Sequence, residues 1–184
     1  MRDWLTRPAG VRRKAGELYG MVVAAARNPD FYGVGRVADT PEGRFELVAL
    51  HLFLIAERVA PVKPEGEALA RHLIEAFITD MDDCMREMGV GDLTVPKRVK
   101  RAAAAFYERS GAYRDALGVQ PAPDQTADPL IAVVSQALLN SEQSGPFSAA
   151  QAAYIRASHD ALSRTSYDDV AAGRFEFAAY PATA

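Results

Sequence analysis

The sequence predicts an all-α protein: a single-domain helical bundle of about six to seven helices with a buried central helix. Apolar residues recur at helical spacing in successive segments of the 184-residue chain. Proline and glycine turn signals separate these segments. Only Phe175-Glu176-Phe177 alternates as a strand would, and a run that short does not make a sheet.

Capping and turn signals divide the chain into seven predicted helices. Asn28-Pro29-Asp30 ends the first helix, Asp39-Thr40-Pro41 suits the start of the second, Gly89 ends the third, and Ser148 is expected to cap the sixth. The predicted helices are residues 11–27, 41–60, 65–88, 95–117, 129–142, 148–163 and 167–172. The second is apolar around much of its circumference, so we expect it to be the central helix.

We predict one domain with four parts and no internal repeat. They are a basic N-terminal helix (1–30), a core bundle (31–117), a proline-containing connector (118–128) and C-terminal helices (129–177). One domain is the usual organisation for a chain of this length.

The composition is that of an ordinary globular protein, with 49% hydrophobic residues, 24% charged residues and a net charge of -3. A broad nucleic-acid surface is not indicated. The single cysteine, Cys84, cannot form an internal disulfide, which favours a reducing compartment. The longest apolar run, residues 47–56, is about half of the roughly 20 residues that a membrane-spanning helix needs.

The N-terminus is basic but lacks the apolar centre of a secretory signal. Its cations are Arg2, Arg7, Arg12, Arg13 and Lys14. Either this is a solvated basic end, or it contacts anionic lipid or ribosomal RNA, both of which present dense negative charge.

Acidic side chains crowd the end of the third predicted helix: Asp80, Asp82, Asp83 and Glu87. Asp82 points away from the others, so no single helix face collects all of them. Asp80 lies within the apolar stripe, where an unpaired charge is costly. We predict a structural ion pair for Asp80 with the basic start of the fourth helix, at Lys97, Arg98 or Arg101. A partner-binding surface and a metal or catalytic site are the alternatives.

Two further polar pairs lie on predicted helices. His72 and Glu75 have a spacing that occurs in helical metal sites, but such sites need ligands from another helix, and we predict no metal. His51 and Arg58 are seven residues apart and share one face of the central helix. That strip is either a cap to the core or a docking groove for a partner.

Two segments carry a family resemblance. Residues 50–58 form an apolar helix that contains His51, and residues 77–92 form an acidic helix that ends at Met88-Gly89. With the basic stretch 97–101 and the following aromatic residues, they resemble the ubiquinol-cytochrome c chaperone family of mitochondria and alphaproteobacteria. The resemblance covers about residues 31–177. Arg114 departs from the family pattern, in which an acid often stands at this position.

The resemblance implies an α-helical chaperone without enzymatic turnover or cofactor. It would bind newly synthesised cytochrome b and promote assembly of the ubiquinol-cytochrome c reductase complex. Contact with the ribosome near the exit tunnel is implied, as is a cytoplasmic location, peripheral to the inner membrane of a bacterium, because the long targeting extension of mitochondrial relatives is lacking. Those relatives act with a small partner subunit, and its presence here stays open. A helical metal-dependent enzyme of lipid or quinone metabolism and a plain protein-binding adaptor are the alternatives.

A chaperone for a membrane protein needs an apolar face bordered by charge. We expect this face on the second, third and fourth helices. The predicted polar rim is His51, Arg58, Asp83, Arg86, Glu87, Lys97, Lys100 and Arg101. Met81 and Met85 are the predicted apolar contacts, because methionine side chains adapt to varied ligands.

Overall fold

The computed structural model describes residues 8–33, 35–119, 128–139 and 145–180. Within these ranges the chain forms seven α-helices, a short 3-10 helix over Pro29–Phe31 and no β-strand, which confirms the all-α prediction. The α-helices are α1 Pro8–Ala26, α2 Pro41–Val59, α3 Glu65–Glu87, α4 Val95–Gly118, α5 Pro129–Leu139, α6 Pro146–Arg164 and α7 Tyr167–Ala171.

Local capping explains where α2 begins. The Thr40 hydroxyl accepts a hydrogen bond from the Gly43 N–H at 3.2 Å, and Pro41 follows the cap as the sequence predicts. A Cβ atom at Gly43 would lie 2.1 Å from the Ala38 carbonyl oxygen. Only glycine therefore allows the incoming loop to pack this closely against the first turn of α2.

The start of α6 differs from the prediction. The helix begins at Pro146, and Gly145, not Ser148, is its N-cap residue. Ser148 instead lies at the third helical position, where its hydroxyl accepts a hydrogen bond from the Gly145 N–H at 2.8 Å. Proline needs no hydrogen-bond partner for a backbone N–H, so Pro146 suits the first position. Residues 140–142, predicted to continue α5, lie outside the described residues.

The central position of α2 is confirmed. This helix packs against all six other helices. Residues 47–55 are buried without interruption, and at 3.6 residues per turn such a run covers the full circumference of the helix. Neighbouring helices are therefore required on every side. No helix among the described residues is both long enough and apolar enough to span a bilayer.

The remaining helices surround α2. Helix α1 packs on α3 and α2, α3 packs on α4, α4 contacts α5, and α5 packs on α6. Most of the predicted connector, residues 120–127, lies outside the described residues. The division into a core bundle and C-terminal helices stays a prediction.

The predicted basic N-terminal cluster is divided by the fold. Lys14 is buried, and its Nζ donates a hydrogen bond to the carbonyl oxygen of Ala171 at 2.8 Å. Its ammonium group therefore cannot contact lipid or RNA. Arg12 and Arg13 are exposed, whereas Arg2 and Arg7 lie outside the described residues.

The chain after α7 runs extended over α2 and α6. The Phe177 ring lies 4.9 Å from the His51 ring, and the Tyr180 ring lies 4.9 Å from that of Phe31. The Ala178 N–H donates a hydrogen bond to the Ser158 hydroxyl at 3.1 Å. The alternation at Phe175-Glu176-Phe177 thus marks an extended segment that completes the core and not a sheet.

Candidate functional site

Most of the predicted site residues lie on one hairpin. Residues 81–107 comprise the end of α3, the turn to α4 and the first half of α4, and we call their exposed side chains the hairpin surface. Eight predicted residues belong to this segment: Met81, Asp83, Met85, Arg86, Glu87, Lys97, Lys100 and Arg101. His51 and Arg58 lie elsewhere, on α2.

Exposed apolar side chains are concentrated on the hairpin surface. Four large hydrophobic side chains are strongly exposed among the described residues, and three of them are Met88 (57% exposed), Leu93 (98%) and Tyr107 (60%). The predicted contact Met81 packs against the core instead, and Met85 is half-buried. The three most exposed apolar side chains of the hairpin were therefore not among the predicted contacts. A signal for Leu93 existed, because it is a large apolar residue in a turn, where polar residues are usual.

Arg86 is tied down by acids of the same hairpin. Its Nε lies 2.6 Å from an Asp82 carboxylate oxygen, and its Nη1 lies 2.7 Å from an Asp92 carboxylate oxygen. These carboxylates raise the pKa of the Arg86 guanidinium. Asp83 and Glu87 are exposed on α3. The acidic side of the hairpin surface thus consists of Asp83 and Glu87 together with the two carboxylates that pair with Arg86.

The basic side of the hairpin surface is unpaired. Lys97, Arg98, Lys100 and Arg101 are all exposed, and none of them forms an ion pair with a described residue. Three of these cations, with Thr94, line a shallow open depression of about 190 Å³: Lys97, Arg98 and Arg101. These groups are free to bind an anionic ligand.

His51 is not part of a polar rim, which corrects the prediction. Its side chain is 0% exposed, so it cannot contact a partner in this fold. Since a carbonyl oxygen can only accept, His51 Nδ1 donates to the Leu47 carbonyl at 2.7 Å, and Nε2 then accepts from the Tyr154 hydroxyl at 2.7 Å. Burial lowers the pKa of His51 to about 4. His51 is a neutral, hydrogen-bonded core residue.

Arg58 is also occupied within the fold. Its Nε donates to the carbonyl oxygens of Leu162 and Thr165 at 2.9 and 3.1 Å, at the C-terminal end of α6. A cation is favoured there, because the last carbonyl groups of a helix lack backbone donors. Arg58 therefore joins α2 to α6. Arg58 also lines an open depression of about 350 Å³ between α2 and α6, so its role in partner binding stays a prediction.

Arg114 also binds α2. Its Nη2 lies 2.7 Å from a Glu57 carboxylate oxygen, and its Nε donates to the same carboxylate at 2.9 Å. A short acidic side chain at this position would face Glu57 with a like charge. The arginine therefore fits this chain through an interhelical ion pair.

Asp80 is held by a hydrogen bond, and the predicted ion pair is wrong. The Tyr19 hydroxyl donates to the Asp80 carboxylate at 2.7 Å, so Asp80 faces α1 and not the basic start of α4. No cation of the described residues lies within ion-pair distance of it. Burial and this carboxylate raise the pKa of Tyr19, which keeps the hydroxyl protonated as a donor.

Replacing Tyr19 by phenylalanine should lower the free energy of unfolding by about 1–2 kcal/mol, because the partly buried Asp80 carboxylate loses its donor. Urea unfolding measures this loss. Tyr107→Phe removes an exposed hydroxyl from α4 and is the matched control, with an expected change within about 0.5 kcal/mol. Equal effects of the two substitutions would contradict the assignment.

His72 and Glu75 bind each other on the surface of α3. His72 Nδ1 lies 2.6 Å from a Glu75 carboxylate oxygen. Among the described residues, no group of three or more potential metal-ligating side chains lies close enough together to hold a metal ion. The contact is local to one face of α3.

Comparisons with known proteins cover nearly the whole described fold. The family model described as ubiquinol-cytochrome C chaperone matches residues 34–177, which include the hairpin surface. The chain is also similar to a solved structure described as the crystal structure of the Cbp3 homolog from Brucella abortus. The two share 35% sequence identity and a TM-score of 0.78, over 91% of this chain and 90% of that chain. A comparison with curated proteins gave no match. The family match and the structural similarity together show that this chain belongs to the ubiquinol-cytochrome c chaperone family.

Proposed function

We propose that this protein is a non-enzymatic assembly factor that binds newly synthesised cytochrome b and promotes assembly of the ubiquinol-cytochrome c reductase complex. Family membership supports a role in assembly of this complex, because the family is described as a ubiquinol-cytochrome c chaperone. The observation that carries the binding role is the exposed apolar set of the hairpin surface within a border of charge. Exposed apolar surface that is concentrated in one region is a feature of interaction sites, and three of the four most exposed large apolar side chains among the described residues lie on this hairpin.

The client contact is assigned to Met88 and Tyr107. Both are more than half exposed and lie on the same hairpin as the unpaired cations. A membrane protein that is still being assembled exposes apolar segments, and these can cover both side chains. The charged residues Asp83, Glu87, Lys97, Lys100 and Arg101 border the contact, keep the free chaperone soluble and exclude mismatched charge.

The proposed site of action is the cytoplasmic face of a bacterial inner membrane, where cytochrome b is inserted. Contact with the ribosome near its exit tunnel would place the protein beside its client at the time of synthesis. A small partner subunit of the kind used by mitochondrial relatives is compatible with the exposed charged residues of α3, which are Asp83, Arg86 and Glu87. These locations follow from the nature of the client.

Replacing Met88 and Tyr107 together by aspartate should reduce recovery of cytochrome b by about tenfold or more, because burying the exposed half of each side chain contributes on the order of 1 kcal/mol. The measurement is quantitative co-purification of cytochrome b with the tagged protein from cells that make the complex. Val119→Asp is the matched control, since Val119 is also an exposed apolar residue (45%) but lies at the far end of α4. It should retain normal recovery.

The results of this experiment test the hairpin surface and the proposed function separately. Normal recovery by the Met88 and Tyr107 variant would remove the hairpin surface as the client contact. Failure of the unchanged protein to recover cytochrome b would overturn the proposed function. Stoichiometric recovery of a soluble protein in its place would identify an adaptor. Thermal unfolding of each variant confirms that the fold is retained.

A further inference from the structure

The tip of the α3–α4 hairpin carries a charge opposite to that of the whole chain. Residues 92–107 contain four cations and one acid, Asp92, in a chain whose net charge is -3. Asp92 is paired with Arg86, whereas the four cations are exposed and form no ion pair with a described residue. The positive charge of this tip is therefore directed to solvent.

Stability of α4 does not account for these cations. They occupy the first two turns of the helix, and the first turn contains no acid. The N-terminal end of a helix carries partial positive charge, so lysine and arginine there are locally unfavourable. Thr94, at the cap position, makes no side-chain capping hydrogen bond that would offset this. An external anion would relieve the repulsion.

Leu93 distinguishes the kind of anionic partner. Its side chain is 98% exposed and immediately precedes the depression lined by Thr94, Lys97, Arg98 and Arg101. An aliphatic side chain that protrudes beside a basic cluster matches the boundary between phospholipid head groups and acyl chains. Single-stranded RNA would instead be bound by aromatic stacking, which leucine cannot provide.

We infer that the hairpin tip, formed by Leu93, Thr94, Lys97, Arg98 and Arg101, docks on a membrane surface that contains anionic phospholipid. The exposed cationic groups of Lys97, Arg98 and Arg101 contact lipid phosphates, and Leu93 inserts at the acyl boundary. Met88 and Tyr107, which are assigned to the client, would then be held near the membrane surface. The inference rests on the membrane location in the proposed function, but it specifies residues and chemistry that can be tested without cytochrome b.

Vesicle flotation tests the inference with the full chain. The probes are vesicles of phosphatidylglycerol with phosphatidylcholine, and vesicles of phosphatidylcholine alone. Binding should require phosphatidylglycerol and weaken as salt is raised. Replacing Arg98 and Arg101 by glutamine should lower the partition coefficient about 25-fold, because each cation near an anionic surface contributes about fivefold. Leu93→Ser should lower it about tenfold, since the aliphatic insertion is lost.

The double substitution Arg71→Gln/Arg164→Gln is the control, because neither residue belongs to the hairpin tip or to the basic N-terminal cluster. It removes the same charge from exposed positions elsewhere, so binding should change less than about threefold. Equal loss in the control would show a non-specific charge effect and overturn the inference. Vesicle binding that is insensitive to Leu93→Ser would also overturn the inference. Binding of single-stranded RNA that does not depend on Leu93 would overturn it too, and would identify RNA as the partner of the basic cluster. The vesicles contain no client. Failure to bind them would therefore overturn the membrane inference, whereas the proposed function is tested separately by co-purification of cytochrome b.

Discussion

Acidification from about pH 7.5 to about pH 5 is expected to lower the free energy of unfolding by about 2 kcal/mol through His51 alone. In the folded protein, burial lowers the pKa of His51 to about 4, so the ring stays neutral over this range. In the unfolded chain the pKa returns to the ordinary value of 6.5. The unfolded state then binds a proton that the folded state does not, so stability falls as the pH drops from 6.5 towards 4.

Urea unfolding at the two pH values measures this loss in the unchanged protein and in His51→Gln. The substitution destabilises the core at both pH values but removes the linked proton. His51→Gln should therefore lose about 2 kcal/mol less than the unchanged protein on acidification. His159→Gln is the control, because the His159 side chain is partly exposed, and it should show the full loss. Identical losses with and without His51 would contradict the buried neutral state.

Replacing Arg156 by methionine is expected to lower the free energy of unfolding by about 3 kcal/mol, because the substitution leaves a half-buried carboxylate without its cation. Arg156 on α6 donates from Nε and Nη2 to Asp128 at 2.7 and 2.6 Å. It also donates to the carbonyl oxygens of Ala116 and Val119, at the end of α4. The guanidinium holds the pKa of Asp128 below its usual range. One side chain thus joins α4, α6 and the start of α5.

Arg174→Met provides the contrast for this prediction. Arg174 also pairs with a carboxylate, Asp169 at 2.6 Å, but its side chain is 65% exposed. An exposed pair of this kind contributes less than about 1 kcal/mol. Urea unfolding at one pH compares the two variants. A cost at Arg156 no larger than that at Arg174 would show that α4, α5 and α6 do not depend on this junction.

The helices could be predicted from the sequence because their signals are local. Helical spacing of apolar residues, the cap at Thr40 and the glycine and proline breaks act over a few residues, whatever the rest of the chain does. The central role of α2 was also predictable, since a helix that is apolar on every side must be covered on every side. The family resemblance, carried by residues 50–58 and 77–92, was confirmed by the match over residues 34–177.

The candidate site was only partly predictable. The segment was predicted from the family motif, but its exposed apolar residues were not. Met88 belongs to the apolar stripe of α3 by spacing, yet it lies where the helix ends and no neighbour covers it. Leu93 lies in the turn between α3 and α4, and the spacing of apolar residues in helices makes no prediction about a turn. Exposure depends on where neighbouring helices stop, and that information is distributed over the whole chain.

The sequence by itself determined that the chain is all-α, where its helices lie, and that α2 is enclosed. The tertiary structure alone decided the partners of the polar residues. Helical phase placed His51, Arg58 and Asp80 on particular faces, but those faces meet Tyr154, the end of α6 and Tyr19. The reason is physical: the period of a helix specifies which side chains share a face, whereas the neighbour of that face is selected by packing between segments distant in the chain.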